Sequence, residues 1–441
     1  MNILRPDRGS AGRVVAGSTP PTGPGGPAAA AGGRSRRGEG GGLKPGDCVR
    51  TVIGDVAFGG DGVGRVDDLV LFVPFTVDGD EAEVRITEVK KRFCRGRLLR
   101  VLAPSGHRTA APCPAYMRCG GCRLQHIAYP HQLAIKGRQV EEAFCRIAKI
   151  AAPPVAAVIP SPEPYGYRRK AEFHLAGAKG GQRLGLMALA STDVVAVERC
   201  AICADSLNRR YAELRERLAR GGLRDAGERL VLWADEPGEP PAETATGSEE
   251  APDLVRVVGG KRLTVPYRGF FQANRFLVAE LVAQVVRSCG LAGGETVVDA
   301  YAGVGLFSLF LGEKAGRLVG IEGDRRAARC GQTNLRREGL GDAELFCGDV
   351  AAVLEREFVR PGNKADVVVL DPPRDGCGPE VVEKTAGLGP ERIVYVSCNP
   401  ATQARDILKF SAHGYAVESL QPLDMFPQTA HIEVVASLTR R

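Results

Sequence analysis

Two groups of cysteines in this 441-residue chain have the setting of thiols that ligate or react. Cys113, Cys119 and Cys122 follow the pattern Cys-x5-Cys-x2-Cys, and Glu-Arg-Cys200-Ala-Ile-Cys203 comes some eighty residues later. The chain has thirteen cysteines, an odd number, and residues 1–42 hold no apolar leader. A reducing compartment is therefore expected, with metal binding or thiol chemistry in place of disulfides. Four thiolates suit zinc or an iron–sulfur cluster on chemistry alone. Cys398 is placed differently, in Ser397-Cys398-Asn399-Pro400, between an expected strand and an expected helix. A helix N-terminus favours a thiolate. Most lone cysteines are inert small hydrophobes; this position makes Cys398 the expected nucleophile.

Carboxylates at other strand ends extend the set. One apolar run ends in Asp299-Ala-Tyr301-Ala-Gly303-Val-Gly305, the next in Glu322, a third in Gly348-Asp349 and a fourth in Asp371-Pro372-Pro373-Arg374. The two glycines permit a tight turn and close approach of a ligand to the backbone. Glu322 is placed to accept from ribose hydroxyls, but Ser308 stands where a dinucleotide fingerprint has its third glycine. The order Asp299, Gly303, Glu322, Asp349 fits S-adenosylmethionine better, with Asp349 on the adenine amino group. The competing reading is that Asp299 and Asp349 only cap turns.

A thiol beside a methyl donor suits methylation at carbon 5 of a pyrimidine. That carbon is a poor nucleophile until a thiolate adds at carbon 6, and a base must then remove the carbon 5 proton. Glu433, in His431-Ile432-Glu433-Val434-Val435, supplies a carboxylate on an apolar strand where burial raises the pKa. The alternative use for Glu433 is a structural ion pair.

Particular elements must bring these ends together. Strands are expected at 295–301, 317–323, 343–349, 366–371 and 392–397, with helices between them. Such alternation implies a mostly parallel sheet covered on both faces, an αβα sandwich binding ligands at its carboxyl edge. Residues 43–102 alternate apolar and polar positions between glycine turns, as a small antiparallel barrel does. Its run Lys90-Lys91-Arg92, with Arg95, Arg97 and Arg100, suits phosphates or simply a solvated strand face. Helices are expected at 131–147 and 205–221, flanking a strand-rich stretch.

Composition, 44% hydrophobic and 25% charged with no apolar run of membrane-span length, is that of a globular protein with no membrane partner. Residues 1–42 read as a disordered basic tail whose six Arg against Asp7 and Glu39 supply four of the chain's formal +7. The folded remainder is only mildly basic. Residues 235–253, an acidic Pro/Glu/Thr stretch, read as an exposed loop insertion.

Phe270-Phe271-Gln272-Ala-Asn274, the GxG loop, DPPR, SCNPAT and HIE together resemble the RNA 5-methyluridine methyltransferase family, over most of residues 43–441. The resemblance implies a Rossmann-like class I α/β methyltransferase domain at 269–441. Before it come a TRAM-like RNA-binding β-barrel at 43–104 and a cysteine-rich α+β central domain at 105–268. It implies Cys398 as nucleophile and Glu433 as proton acceptor. Gln272, Tyr301, Glu322 and Asp371 would contact S-adenosylmethionine, with Asp371 also near the target uracil. It implies a [4Fe-4S] cluster on Cys113, Cys119, Cys122 and a fourth cysteine, Cys200 in preference to Cys203. Leu306 departs from relatives with Asn or Thr there, and Ala302 from those with Cys. The substrate implied is a flipped uridine in RNA, ribosomal in preference to transfer RNA because bacterial relatives acting on transfer RNA often lack barrel and cluster. Tyr165, Tyr167, Arg168, Arg169 and Lys170 are candidate RNA contacts. A cytoplasmic monomer is expected. Rival readings are an amino-methyltransferase, disfavoured by Arg374 and Cys398, and a non-catalytic RNA-binding iron–sulfur protein.

Overall fold

The computed structural model describes residues 42–178, 181–221, 229–237 and 251–441. The expected tail, apart from residue 42, and the middle of the acidic insertion lie outside the described residues.

The alternating N-terminal segment curls into one sheet of six strands among the described residues: β1 (Cys48–Val52), β2 (Asp55–Val56), β3 (Asp61–Val66), β4 (Leu69–Pro74), β5 (Glu81–Val89) and β6 (Phe93–Ala103). Their order is β1-β5-β6-β4-β3-β2, antiparallel except where β4 meets β6. Every second residue points inward, so Val49, Leu71, Val73, Val84, Ile86 and Cys94 make the core. At Gly96 a Cβ would stand 2.2 Å from Val84 Cγ1, so only glycine lets the strands cross this closely.

The middle of the chain begins with α1 (Tyr129–Arg146), which carries Pro130 in its first turn. Strands β7 (Lys170–Ala178), β8 (Gly181–Met187), β9 (Val194–Val195) and β10 (Arg229–Trp233) form a sheet in the order β10-β7-β8-β9, backed by α2 (Asp205–Ala219). Phe173 stacks on Tyr211 there, ring centroids 4.2 Å apart.

A hairpin of β11 (Leu254–Val258) and β12 (Lys261–Val265) and helix α3 (Val278–Cys289) lead into the last sheet. It contains β13 (Thr296–Ala300), β14 (Arg317–Glu322), β15 (Glu344–Cys347), β16 (Val367–Leu370), β17 (Arg392–Ser397), β18 (Tyr415–Leu423) and β19 (Glu433–Arg440). Between them lie α4 (Ser308–Leu311), α5 (Arg325–Arg337), α6 (Val350–Leu354), α7 (Pro379–Gly387) and α8 (Pro400–Ala412). The five expected strands lie within one or two residues of their expected bounds.

The strand order is β15-β14-β13-β16-β17-β19-β18, with the first five parallel and β19 antiparallel to both neighbours. Alternate residues serve opposite faces. Val297, Val369 and Val394 pack with α3, whereas Val298, Val368 and Ile393 pack with Ile407 and Phe410 of α8. The chain runs outward from β13 to β15 and then returns to β16 on the other side of β13. That reversal opens a crevice at the carboxyl ends of β13 and β16, where such sheets bind ligands.

Candidate active site

The sheet register carries the sequence's two reactive candidates to one point. Ser397 of β17 is paired with Val434 of β19, so Cys398 leaves one strand beside Glu433, which starts the other. Cys398 is half-buried and Glu433 buried. Asn399 caps α8 through Ala401 N–H at 3.2 Å, and its amide donates to the Arg374 carbonyl at 3.2 Å. The Thr402 hydroxyl donates to the same carbonyl at 3.1 Å. The SCNPAT and DPPR loops are thereby fastened together.

The electrostatics of this point correct one expectation. Burial, and then the Glu433 carboxylate, push the Cys398 thiol above its ordinary range, while the Arg374 guanidinium pulls it down. The helix terminus that was expected to favour the thiolate is outweighed by desolvation in a half-closed crevice. Glu433 is held well above the usual carboxylate range, first by burial and then by Asp371, with Arg374 opposing. Asp371 rises to about 7 through burial and the charges of Asp299 and Glu322. His431, half-buried beside Arg374, falls to about 4 through desolvation and then the Arg374 charge, so it is neutral; its Nε2 lies 3.4 Å from an Arg374 nitrogen.

Across the crevice, Ala300 is paired with Leu370, so Tyr301 and Asp371 emerge side by side. Tyr301, Gly303 and Gly305 all have positive φ, at 65°, 58° and 81°. A Cβ at Gly303 would meet nothing within 4 Å, and one at Gly305 would stand 3.6 Å from Gly331 Cα of α5, an ordinary contact. Glycine is required at both by the left-handed backbone of the turn, and at Gly303 it also leaves open space beside the loop. Gly303 N–H donates to Glu322 at 2.8 Å, and the other Glu322 oxygen accepts from Asp324 N–H at 2.6 Å.

Asp299, expected against a ligand, is fully buried and accepts from the Ser308 hydroxyl. It braces the loop from beneath, because its position on β13 points it into the sandwich. Burial raises its pKa to about 7. Asp349 is exposed and caps α6 through Ala352 N–H at 3.0 Å, which engages one of its two oxygens. Leu306 packs in the apolar core, so the polar residue of relatives has no counterpart at that position. Gln272 is buried, and its Oε1 has no hydrogen-bond partner among the described residues. Its segment is fixed by Arg169 N–H to the Ala273 carbonyl at 3.0 Å and Arg275 N–H to the Tyr167 carbonyl at 3.1 Å.

Those bonds overturn part of the candidate RNA surface. Tyr167 and Arg169 are buried, at 0% and 3% exposure, and support the Gln272 segment from behind. Tyr165, Arg168 and Lys170 remain half-exposed. On the barrel, Arg95 is tied to Asp61 and Glu88 and Arg100 to Glu83, leaving Lys91, Arg92 and Arg97 exposed without ion pairs among the described residues.

The other cysteines converge as well. Cys113, Cys119, Cys122, Cys200 and Cys203 line one cavity of about 410 Å³. Cys200 is half-buried, whereas Cys203 is 1% exposed within the apolar core of the middle sheet. Asn208 of α2 holds the loop between them, accepting from Cys200 N–H at 2.8 Å and donating to both cysteine carbonyls at 3.1 Å. No three cysteine sulfurs among the described residues lie within 4.8 Å of one another. A tetrahedral zinc ion with bonds of about 2.3 Å needs its sulfurs about 3.8 Å apart.

Two connections escaped sequence reasoning. Arg123 and Leu124 N–H groups, directly after Cys122, both donate to the Gln428 carbonyl at 2.9 and 3.0 Å. Lys136 of α1 pairs with Asp424 at 2.7 Å, both buried. The segment 424–431 that delivers Glu433 is therefore fixed by the cysteine segment and α1. Nothing local in sequence signals bonds that span about three hundred residues. Asp78, His107 and His131 also meet, but the two imidazoles stack parallel at 3.6 Å, so one ion cannot lie in both ring planes.

Comparison with known proteins agrees with this architecture. Residues 258–441 match the family model described as tRNA (Uracil-5-)-methyltransferase, and residues 43–99 match the TRAM domain. An uncharacterized RNA methyltransferase of Gloeobacter violaceus is 36% identical, over 91% of this chain and 98% of its own length. One from Halalkalibacterium halodurans is 32% identical, over 89% and 97%. The crystal structure of Pyrococcus abyssi tRNA (uracil-54, C5)-methyltransferase in complex with S-adenosyl-L-homocysteine superposes with a TM-score of 0.66. It covers 89% of this chain and all of that one at 24% identity, which shows a shared fold.

Proposed function

The chain belongs to the tRNA (uracil-5-)-methyltransferase family of S-adenosylmethionine-dependent RNA methyltransferases, with a TRAM domain at its N-terminus, and we propose that it methylates carbon 5 of a uridine in ribosomal RNA through a covalent adduct on Cys398. The observation that carries this reading is the register that sets Cys398 beside Glu433, with Asp371 and Arg374 on the adjoining loop.

Arg374 favours the Cys398 thiolate against its buried surroundings. The sulfur adds to carbon 6 of the uracil, and the electron pair of the 5,6 double bond moves toward O4. S-adenosylmethionine supplies the electrophilic methyl group that carbon 5 then takes. Glu433 removes the carbon 5 proton, the double bond re-forms and the Cys398 thiolate leaves. Reaching carbon 6 from above the ring requires the uridine to be unstacked.

The residues fit the cofactor. Among the described residues, Gln272 offers a buried oxygen without a hydrogen-bond partner, Glu322 stands at the second strand end, and the cap of α6 engages one oxygen of Asp349. Cys113, Cys119, Cys122 and Cys200 fit a [4Fe-4S] cluster: all-sulfur donors, spread wider than one zinc ion requires, around a cavity. Methyl transfer needs no electron, and the bonds from Arg123 and Leu124 to the loop before Glu433 suit a structural role for that centre.

Transfer RNA is the second reading, favoured by the likeness of most of this chain to the Pyrococcus abyssi tRNA (uracil-54, C5)-methyltransferase. Mapping 5-methyluridine in ribosomal and transfer RNA from a deletion strain, with and without complementation by Cys398→Ala, tests both. Loss of one ribosomal 5-methyluridine, not restored by the variant, is expected. Unchanged methylation in both RNAs contradicts the proposal.

A further inference from the structure

Helix α5 carries five arginines, Arg325, Arg326, Arg329, Arg336 and Arg337, and no acidic residue. A folded chain that is otherwise near neutral has concentrated charge on one helix. Two of the five are accounted for: Arg326 pairs with Asp253 at 2.7 Å, and Arg337 donates to the Arg262 carbonyl and to Asn334. Arg325, Arg329 and Arg336 are exposed and have no ion pair among the described residues. At positions i, i+4 and i+11 they share one helical face with Gln332 at i+7. They line a shallow groove of about 500 Å³ between α5 and the edge strand β15, which ends at exposed Cys347.

Helix stability accounts for Arg336, which lies in the last turn where the dipole favours a cation, but not for Arg325. Arg325 occupies the first turn, where the helix dipole opposes a positive charge at a cost of about 0.3–1 kcal/mol, and it has no acidic partner to offset that. The stripe also starts at the active edge, three residues after Glu322, and runs about 16 Å down the side of the sheet.

We propose that Arg325, Arg329 and Arg336 form a phosphate-binding stripe for the RNA strand flanking the target uridine. The proposal rests on RNA being the substrate. Exposed guanidinium groups in a row, without side-chain carboxylates between them, match a polyphosphate backbone and lack the apolar anchors that a protein partner would need. The stripe supplies affinity and direction, not sequence readout.

Binding of a fluorescein-labelled, uridine-rich 20-nucleotide single-stranded RNA, measured by anisotropy across salt concentrations, tests it. Three phosphate contacts contribute about 2 to the slope of log K against log salt. The Arg325→Ala/Arg329→Ala/Arg336→Ala variant of the full chain should lose most of that slope and at least tenfold in affinity at low salt. The corresponding triple Lys variant should keep the slope. S-adenosylmethionine affinity and melting temperature serve as controls: the affinity should match that of the unaltered protein and the melting temperature should not fall. A triple Ala variant with unchanged slope overturns the stripe. A parent protein that binds the RNA but transfers no methyl to uridine contradicts the proposed function and leaves the stripe standing.

Discussion

Replacing Glu433 by Gln separates the proposed base from everything else in the crevice. The two side chains have the same shape, and Glu433 is buried with its pKa held well above the usual carboxylate range by burial and by Asp371. A general base of this kind contributes about 10²–10⁴ in rate, or roughly 3–5 kcal/mol of barrier. Addition of Cys398 and methyl transfer do not require it; release does. Glu433→Gln should therefore turn over at least a hundredfold more slowly and accumulate RNA covalently bound to protein. A denaturing gel with labelled RNA reads that species directly. Stability adds a second signature. A carboxyl whose folded pKa is raised stabilises the protein fully below its unfolded pKa, and that contribution is lost as pH rises toward the folded value. The melting temperature of Glu433→Gln should gain on that of the parent between pH 5 and 8. Turnover within threefold of the parent, or an inactive variant that binds RNA and S-adenosylmethionine but leaves no adduct, would refute the assignment.

Three further outcomes follow from the same geometry. Gln272→Leu removes an unpaired buried oxygen, so calorimetry should show S-adenosylmethionine binding weakened about tenfold, the scale of one charge-assisted hydrogen bond, with no fall in melting temperature. Lys136→Met leaves the Asp424 carboxylate buried without its cation and should cost about 3–5 kcal/mol, measured by denaturant unfolding, with a matching loss of activity because the 424–431 segment leads into Glu433. Under anaerobic purification, Cys200→Ala should lose iron and sulfide while Cys203→Ala retains them, since Cys203 belongs to the apolar core; the reverse result would exchange the two assignments.

The parallel sheet was legible because buried strands read as apolar runs, and all five expected runs became strands. The positions of the glycines, Glu322, Asp371 and Cys398 at one edge of the sheet were legible for a related reason, since each follows the carboxyl end of an apolar run, whereas Glu433 reaches that edge only because β19 is antiparallel. Charge state was not. The thiolate-favouring helix terminus at Pro400 is a local feature, whereas the burial and the Glu433 charge that override it come from β19, which only the fold brings alongside. Side-chain direction was equally hidden. Arg168 and Arg169 are neighbours in sequence, yet one is half-exposed and the other supports Ala273 from within. The bonds from Arg123, Leu124 and Lys136 to the segment before Glu433 join positions about three hundred residues apart, and no periodicity records them.

The central claim is that Cys398 bonds to carbon 6 of a uridine while carbon 5 receives a methyl group. RNA transcribed with 5-fluorouridine cannot release its carbon 5 substituent as a proton, so the adduct should persist. After incubation with S-adenosylmethionine and digestion of both polymers, mass spectrometry should find one methylated fluorouridine attached to the peptide containing Cys398. An adduct on any other cysteine, or uridine methylation that proceeds undiminished in Cys398→Ala, would contradict the account.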